Sequence, residues 1–321
     1  MGFNITELTG SNVQAIIAAL QALCPDLVTT TQKGLLAPDA EAIAAGFIKT
    51  ATSSNKGLMS KEFAAILENP ETIVFTEGKA LTQNAGFHNS LYRGKYLGNS
   101  VSAAQFSAIG AGTFDGLFIG DYWTINSINW RIAAFDYWWN HGDTACATHH
   151  AVIVPDSNLA SGKMNDTHIT TGAYVGSDFY TAANGNTCKA TCKTAIESAF
   201  GAGHILSHRE YLTNATTSGY ASAGGWYDST FELMDETMVY GNGIFVPRNS
   251  LGATIPNSHT IDYSQLPLFF FDHSRICNRA NWWLRDVVSA TDFADVGGNG
   301  VATSNNAGNS LGFRPAFGIR A

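Results

Sequence analysis

The chain has 321 residues, of which 45% are hydrophobic, 12% aromatic and only 14% charged. This much apolar material can form a large core, which excludes a chain that is disordered throughout. The net charge of −8, without a cluster of lysine and arginine, argues against a nucleic-acid partner. No run of 18 apolar residues is present, so we expect no membrane insertion, and the five widely spaced cysteines do not indicate a disulfide framework.

The first predicted element is an amphipathic helix over residues 11 to 24. Ser11 suits the N-cap and Gln14 follows three residues later, a capping-box arrangement, while Pro25 ends the run. Apolar residues at helical spacing form one face, which must be buried against a partner. Two partners are open: the rest of the helix's own domain, or other copies of the chain around a threefold or twofold axis.

An internal repeat follows this helix. Residues 29–39 (TTTQKGLLAPD) recur 23 positions later as residues 52–62 (TSSNKGLMSKE). Repeats of this size rely on neighbours to bury a core. The Lys-Gly-Leu-Met-Ser unit resembles segments of trimeric phage tail-fibre and baseplate proteins. This resemblance implies a helical, repeat-containing attachment and oligomerisation region over residues 1–70, which we expect a linker at 71–88 to join to the rest.

Short strands dominate the predicted elements from residue 89 onward. Strands at 118–125 and 128–135 are expected to form a hairpin through Asn126 and Ser127. Further predicted elements are a strand at 151–155, a helix at 187–200, a short element at 210–212, strands at 231–234 and 237–240, and a segment at 267–271 that leads back to the C-terminal stretch. Short strands, few helices and long loops predict an α+β domain over residues 89–321.

The stretch from residue 281 to residue 321 combines two apolar segments with a polar insert. The segments NWWLR at 281–285 and GFRPAFGIR at 312–320 are predicted strands, and we assign Trp282, Trp283, Arg314 and Phe317 to an aromatic frame. Between them, residues 296–310 are rich in glycine and asparagine, which favours turns and a pliable loop. A rigid frame around a polar insert is typical of a recognition surface.

This pattern resembles the end of C-type-lectin-fold domains, in particular the variable proteins of diversity-generating retroelements. Residues 282–285, 299–309 and 312–316 carry the resemblance. It implies a C-type lectin-like domain with short strands and long loops, whose two termini pair as neighbouring strands. It also implies a binding surface in which asparagine codons, rich in adenine, are the ones altered.

The resemblance implies a set of ligand-binding residues around the frame. Arginine and aromatic side chains would supply most of the binding energy, with asparagine and serine as adaptable hydrogen-bonding groups. The residues are His273, Arg275, Asn278, Arg279, Asn281, Asp286, Ser289, Thr291, Asp292, Phe293, Asn299, Ser304, Asn305, Asn306 and Asn309.

Three other clusters could serve chemistry, and each has a structural alternative. The clusters are Cys188 with Cys192; His141, Cys146, His149 and His150; and His204, His208, Arg209 and Glu210. The two cysteines continue an apolar helical stripe, which favours the core over a metal site. The second cluster has zinc-ligand types but no closed zinc pattern. The third fits acid–base catalysis or a hydrogen-bonded surface.

Neither an enzyme nor a metal protein is expected. The calcium loop of sugar-binding lectins is not part of the resemblance, because neither Glu-Pro-Asn nor Gln-Pro-Asp occurs, although the oxygen-rich residues 292–295 could hold an incidental ion. Formylglycine-generating enzymes have a similar Gly-Phe-Arg unit but use two cysteines near it, and this chain offers only Cys277 there. We therefore expect no catalytic residue, no cofactor and no metal.

These expectations combine into one hypothesis. The chain is predicted to be a phage tail or tail-tip receptor-binding protein, made in the host cytoplasm and located in the virion. Its partners would be a protein or glycan receptor on the host cell surface, other copies in a homotrimer, and other virion tail proteins. The alternatives are a structural baseplate or tail component without its own receptor, and a bacterial surface adhesin, which would need an export signal or lipid anchor.

Overall fold

A computed structural model describes residues 83–245 and 264–321 of the chain. These residues fall within one compact unit, Thr82–Ala321. The predicted helix at 11–24 and the repeat at 29–62 lie outside the described residues, as do residues 71–82 of the predicted linker, and they stay predictions. The last part of the predicted linker is described and contains a short helix, Ala85–His88. Within the described ranges, no helix is both long enough and apolar enough to cross a membrane.

Strands in sheets make up most of the described structure, with few helices, a mixed arrangement compatible with the α+β class. The strands are β1 (Tyr96–Gly98), β2 (Tyr122–Ile125), β3 (Ile128–Phe135), β4 (Ala151–Pro155), β5 (Ala160–Gly162), β6 (His208–Thr217), β7 (Tyr220–Ser229), β8 (Glu232–Leu233), β9 (Trp282–Val287), β10 (Asp292–Val296), β11 (Ala302–Asn306), β12 (Leu311–Phe313) and β13 (Pro315–Ile319). The helices are α1 (Ala85–His88), α2 (Ala103–Gly110), α3 (Asp178–Thr181), α4 (Cys188–Phe200), α5 (Glu236–Tyr240) and α6 (Pro267–Phe271), with short 3-10 turns at Ala183–Gly185, Ala202–His204 and His273–Arg275.

The first sheet has the strand order β1-β2-β3-β4-β13-β8. The predicted hairpin is confirmed, because β2 and β3 pair antiparallel across Asn126 and Ser127, whose φ angles are 52° and 63°. Two successive positive φ angles suit the right-handed twist of a hairpin. The expected pairing of the domain's two ends is not found between the described strands. Both sides of β13 are occupied by β4 and β8, while β1 lies at the opposite edge.

The second sheet has the order β11-β10-β9-β12-β5 and holds the predicted polar insert. The expectation that residues 296–310 form a pliable loop is wrong, because β11 pairs with β10 over five residues in continuous register. Main-chain pairing in a ladder needs no apolar side chains, so a polar strand can form where a neighbour supplies hydrogen bonds. β11 lies at the edge of this sheet.

Two other elements differ from the sequence-based expectation, and a third agrees with it. Residues 210–212 belong to the long hairpin β6–β7, which turns at Ser218 and Gly219 with φ angles of 53° and 84°. The strand expected at 237–240 is instead α5, whose N-terminus is capped by the Asp235 side chain accepting from Met238 N. The helix expected at 187–200 is confirmed as α4.

The aromatic frame lies in the core, as expected. Trp282, Trp283 and Phe317 are fully buried and Arg314 is 1% exposed. The Arg314 guanidinium donates from Nε to the Pro155 carbonyl at 2.7 Å and from Nη1 to the Arg275 carbonyl at 2.8 Å. It also lies 5.1 Å from the ring centroid of Trp282. A buried arginine with two carbonyl acceptors and an aromatic face holds the strand ends and the 3-10 turn in fixed positions.

Candidate functional site

The predicted ligand-binding residues surround the second sheet in two groups. One group lies at the turn between β10 and β11 and in the loop before β9. The other lies at the turn between β9 and β10 and just after β11. Because β10 spans five residues at about 3.3 Å per residue, the two groups are separated by about 13 Å along the strand. Ser304 and Asn305 lie between them on β11.

The first group consists of four asparagines and one arginine, which we call the amide cluster: Asn158, Asn278, Arg279, Asn281 and Asn299. Asn278 Nδ2 donates to Asn158 Oδ1 at 2.9 Å, and Asn281 Oδ1 accepts from Gly298 N at 2.8 Å. These bonds join the loop before β9 to the loop after β4 and to the β10–β11 turn. The surface is therefore ordered by its own polar contacts.

Asn158 is a member that the sequence did not reveal. It lies shortly after β4 and about 120 positions before its partner Asn278. The only local signal is a turn-forming composition, Pro155-Asp156-Ser157-Asn158, which identifies a loop but not its neighbour. The absence of a side chain at Gly312 makes room for it, since a Cβ there would meet Asn158 Nδ2 at 1.8 Å.

Arg279 is the distinctive residue of the amide cluster. Its side chain is exposed and its φ angle is 64°, a left-handed conformation that costs a residue with a Cβ about 1–2 kcal/mol. An Asx turn supports it, since Ala280 N donates to Asn278 Oδ1 at 3.1 Å. Among the described residues no carboxylate pairs with Arg279. Its guanidinium therefore offers a fork of N–H donors to a ligand.

Arg275 and His273 lie beside this cluster but differ from Arg279. Arg275 Nε is 2.9 Å from Asp272 Oδ2, and its carbonyl accepts from Arg314, so it is tied to the frame. Burial opposes ionisation of Asp272, but hydrogen bonds from Ser274, Tyr92 and Arg275 outweigh it and lower the pKa of Asp272 to about 2. His273 is exposed. Arg275 thus has a supporting role, while His273 is open to a ligand.

The second group, which we call the turn group, consists of Ser289, Thr291, Asp292, Asn306 and Asn309. Ser289 Oγ donates to Asp292 Oδ2 at 2.7 Å, and Asn306 Nδ2 donates to the other oxygen, Asp292 Oδ1. Asn309 Nδ2 is 3.3 Å from Asn305 Oδ1. Many of the hydrogen-bonding groups of these side chains are therefore occupied by neighbouring side chains and are not open to a ligand.

Two of the predicted ligand-binding residues are core residues instead. Phe293 is fully buried, and Asp286 is 8% exposed with its Oδ2 accepting from Glu236 N at 2.6 Å. Burial, with the nearby carboxylates of Asp235 and Glu236, raises the pKa of Asp286 well above its usual range. Both residues belong to inner strands of the second sheet, which are buried along almost their whole length. They do not belong with the exposed residues of the set.

Asn305 connects the edge strand to a second buried carboxyl. Its Nδ2 donates to Asp295 Oδ1 at 3.0 Å, while Asp295 Oδ2 is buried without a hydrogen-bond partner. Burial raises the pKa of Asp295 to about 6, against the opposing effect of the Asn305 bond. The side chain of Asn305 therefore points back toward β10 and supports the sheet.

The histidine and cysteine clusters are held by structural contacts. His149 Nδ1 lies 2.7 Å from Asp136 Oδ2, and His150 Nε2 accepts from Trp138 N at 3.1 Å. Within residues 83–245 and 264–321, no three His, Cys, Asp or Glu side chains come together as metal ligands. Cys192 is a core residue, as its helical position predicts, and burial raises its pKa to about 12.

Glu210 and His208 belong to a buried ionic network. Arg285 Nη1 lies 2.5 Å from Glu210 Oε1, and Arg285 Nη2 lies 3.1 Å from Asp235 Oδ2. His208 Nε2 is 3.4 Å from the other Glu210 oxygen. Although burial opposes it, the Arg285 charge lowers the pKa of Glu210 to about 2. The arrangement joins β6 to β9 and to the start of α5, which is a structural role.

Comparisons with known protein families, with characterised proteins and with solved structures find no match to this chain. The amide cluster combines side-chain amides on an ordered loop pair with the Arg279 guanidinium, which pairs with no carboxylate of the described residues. These groups can donate and accept hydrogen bonds at a surface, which suits non-covalent binding.

Proposed function

We propose that this chain is a phage tail or tail-tip protein that binds a receptor on the host cell, and that residues 89–321 form a C-type lectin-like domain. The observation that carries the proposal is Arg279, which is exposed, has no carboxylate partner among the described residues, and follows Asn278 of the amide cluster in a left-handed conformation. The similarity of the C-terminal stretch to retroelement variable proteins supports the same reading. In this proposal the protein is a binding protein of the virion and has no enzymatic activity.

Preorganisation makes the amide cluster suitable for binding. A backbone conformation that costs energy persists only where the surroundings hold it, and such positions concentrate at functional sites. Asn278 holds Arg279 through the Asx turn, and Arg314 holds the neighbouring 3-10 turn through its bond to the Arg275 carbonyl. A ligand therefore meets side chains that are already in place, which reduces the entropy lost on binding.

The frame also separates binding from folding. Trp282, Trp283 and Arg314 are buried, whereas Arg279 and Asn299 are exposed. Exchange of the exposed side chains would change the ligand without removing core contacts, which is what a diversified binding protein needs. Several copies in one virion would add weak contacts through multivalency, because the second contact is intramolecular.

The test is binding of the purified full chain to a panel of bacterial strains, followed by substitution at Arg279. Arg279→Gly removes the guanidinium but accepts the positive φ without strain. We expect it to weaken binding to the recognised strain at least about tenfold, which is about 1.4 kcal/mol. The matched control is Asn184→Gly, which also replaces a residue with a left-handed φ, of 50°, at an exposed position far along the chain.

The outcomes separate clearly. Unchanged binding of a folded Arg279→Gly variant would remove the amide cluster from the receptor site. Binding to no strain by the wild-type chain in assembled particles would contradict the proposed function itself.

One observation favours a second candidate, a structural tail component. Phe270 and Phe271 on α6 are 61% and 41% exposed and pack edge to face at 5.3 Å. Exposed aromatic pairs of this kind are typical of protein–protein contacts. If the structural role is the main one, Phe270→Ser will reduce incorporation of the chain into particles, and Arg279→Gly will leave host binding unchanged.

A further inference from the structure

The outer edge of β11 carries main-chain groups that, with the exception of the Asn306 carbonyl, form no hydrogen bond with the described residues. Gly297 N donates to the Val301 carbonyl and Ala307 N donates to the Thr291 carbonyl, both at 2.8 Å. In an antiparallel ladder, hydrogen-bonded pairs alternate with pairs that are not hydrogen-bonded. Thr303 and Asn305 therefore direct their N–H and C=O groups toward β10. Ala302, Ser304 and Asn306 direct theirs away from the sheet.

Within the part of the chain that the structure describes, this outer row is nearly empty. The Asn306 carbonyl accepts from Asn309 N at 2.8 Å, and no hydrogen bond to the main chain of Ala302 or Ser304 is present. β11 is the terminal strand in its sheet. An open row of alternating donors and acceptors is a template for another strand.

β11 also lacks the features that usually protect an edge. Its sequence, ATSNN, contains no charged residue and no proline, and its register with β10 has no bulge. Asn305 and Asn306 turn their side chains back to Asp295 and Asp292, so they do not block the outer row. Val301, just before the strand, is 54% exposed and would gain cover from a neighbour.

We propose that β11 pairs antiparallel with β11 of a second copy of this chain, around a twofold axis at Ser304. The outward groups are symmetric about Ser304, so one copy presents Ala302 opposite Asn306 of the other and Ser304 opposite Ser304. Every cross-strand pair is uncharged and small, so like charges do not meet. Main-chain hydrogen bonds depend little on the side chains of the partner strand, so they do not select a partner by its sequence. Selectivity must then come from high local concentration, which copies of one assembly provide.

This pairing would unite the two separate groups of the candidate site. Extending the same register past the strand brings Asn299 of one copy beside Asn309 of the other. The amide cluster of one copy then adjoins the turn group of its neighbour, although the two lie about 13 Å apart along β10 within one copy. This consequence rests on the proposed function, as does the choice of a second copy as the partner, whereas the open edge of β11 does not.

Cysteine cross-linking of the full chain tests the register. In a hydrogen-bonded antiparallel pair the two Cα atoms are about 5.5 Å apart, which a disulfide can bridge. Ser304→Cys should form a disulfide between two copies at position 304, identified by peptide mapping against the wild-type background. Thr303→Cys is the matched control, because position 303 faces position 305. Two copies of Thr303→Cys should not cross-link to each other. A mixture of Thr303→Cys and Asn305→Cys should form a disulfide between positions 303 and 305.

A second variant tests the main-chain group directly. Ser304→Pro removes the outward N–H, and an edge strand tolerates proline at such a position. Sedimentation should show the assembled mass falling by half for Ser304→Pro, with Ser304→Ala unchanged. Absence of the 304–304 disulfide, together with an unchanged mass for folded Ser304→Pro, would overturn the pairing. Loss of host binding by Arg279→Gly in that case would leave the proposed function standing. A 304–304 disulfide in a chain that shows no host binding would support the pairing and contradict the proposed function.

Discussion

Asp295 should destabilise the fold whenever it is ionised. It is fully buried on β10 and receives one hydrogen bond, from Asn305, while its Oδ2 has no hydrogen-bond partner. Burial raises its pKa to about 6 from an ordinary value of 3.8. At 1.36 kcal/mol per pH unit, this difference corresponds to about 3 kcal/mol. Because the folded pKa is the higher one, the favourable contribution is complete below about pH 4 and is lost as the pH rises through 6.

The substitution Asp295→Asn tests this directly. Asparagine has nearly the same shape, keeps an oxygen to accept from Asn305 and carries no charge. At pH 8 we expect the variant to be more stable than the wild type by up to about 3 kcal/mol, with the advantage disappearing near pH 4. Urea unfolding at several pH values gives both free energies. Asp115→Asn, at an exposed position, is the control and should change the free energy of unfolding by no more than about 0.5 kcal/mol.

The test of the raised pKa is how the difference in free energy of unfolding between Asp295→Asn and the wild type changes with pH. Other buried carboxyls affect wild type and variant alike, so they cancel when the two free energies of unfolding are subtracted. A difference that stays constant from pH 4 to pH 8 would refute the assignment of a raised pKa to Asp295.

Two further predictions follow from other buried charged or titratable groups. Arg314→Met should lower the free energy of unfolding by about 3 kcal/mol or more, because the carbonyls of Pro155 and Arg275 lose their donors. Thermal unfolding measures this loss, and a loss under about 1 kcal/mol would contradict the role of the two bonds. Burial lowers the pKa of His150 to about 3, so its ring should remain neutral at pH 5 in a proton NMR titration. Since an unfolded histidine titrates near 6.5, its contribution to stability is complete above that pH and is lost as the pH falls toward 3, and a folded-state midpoint near 6.5 would count against this.

The parts of the fold that sequence predicted were those with local causes. Asn126 and Ser127 tolerate positive φ, and the strands around them are apolar, so the β2–β3 hairpin could be predicted. The stripe of Cys192, Ile196 and Phe200 identified α4. The frame residues could be placed in the core by their size and apolar character. In each case a few neighbouring residues contain the whole signal.

The parts that sequence missed depend on distant partners. Thr237 to Tyr240 are good strand formers, but the Asp235 cap and the burial of Met238 and Val239 select a helix. β11 is polar and resembles a loop, yet β10 supplies its main-chain bonds. Among the site residues, Phe293 and Asp286 could not be excluded in advance, because their burial follows from which strands flank β9 and β10. The place of Asn158 in the amide cluster could not be predicted either, because its partner Asn278 is 120 positions away in the sequence.

The ion pairs of Arg285 have a consequence for how the domain opens. One guanidinium on β9 holds Glu210 of the β6–β7 hairpin and Asp235 at the start of α5. If the hairpin peeled away alone, the buried Arg285 guanidinium would lose its ion pair with Glu210 and keep only Asp235, at a cost of several kcal/mol. The hairpin and the second sheet should therefore unfold as one cooperative unit. Native-state hydrogen exchange would then give amides of β6 and β9 the same opening free energy, despite their distance in sequence.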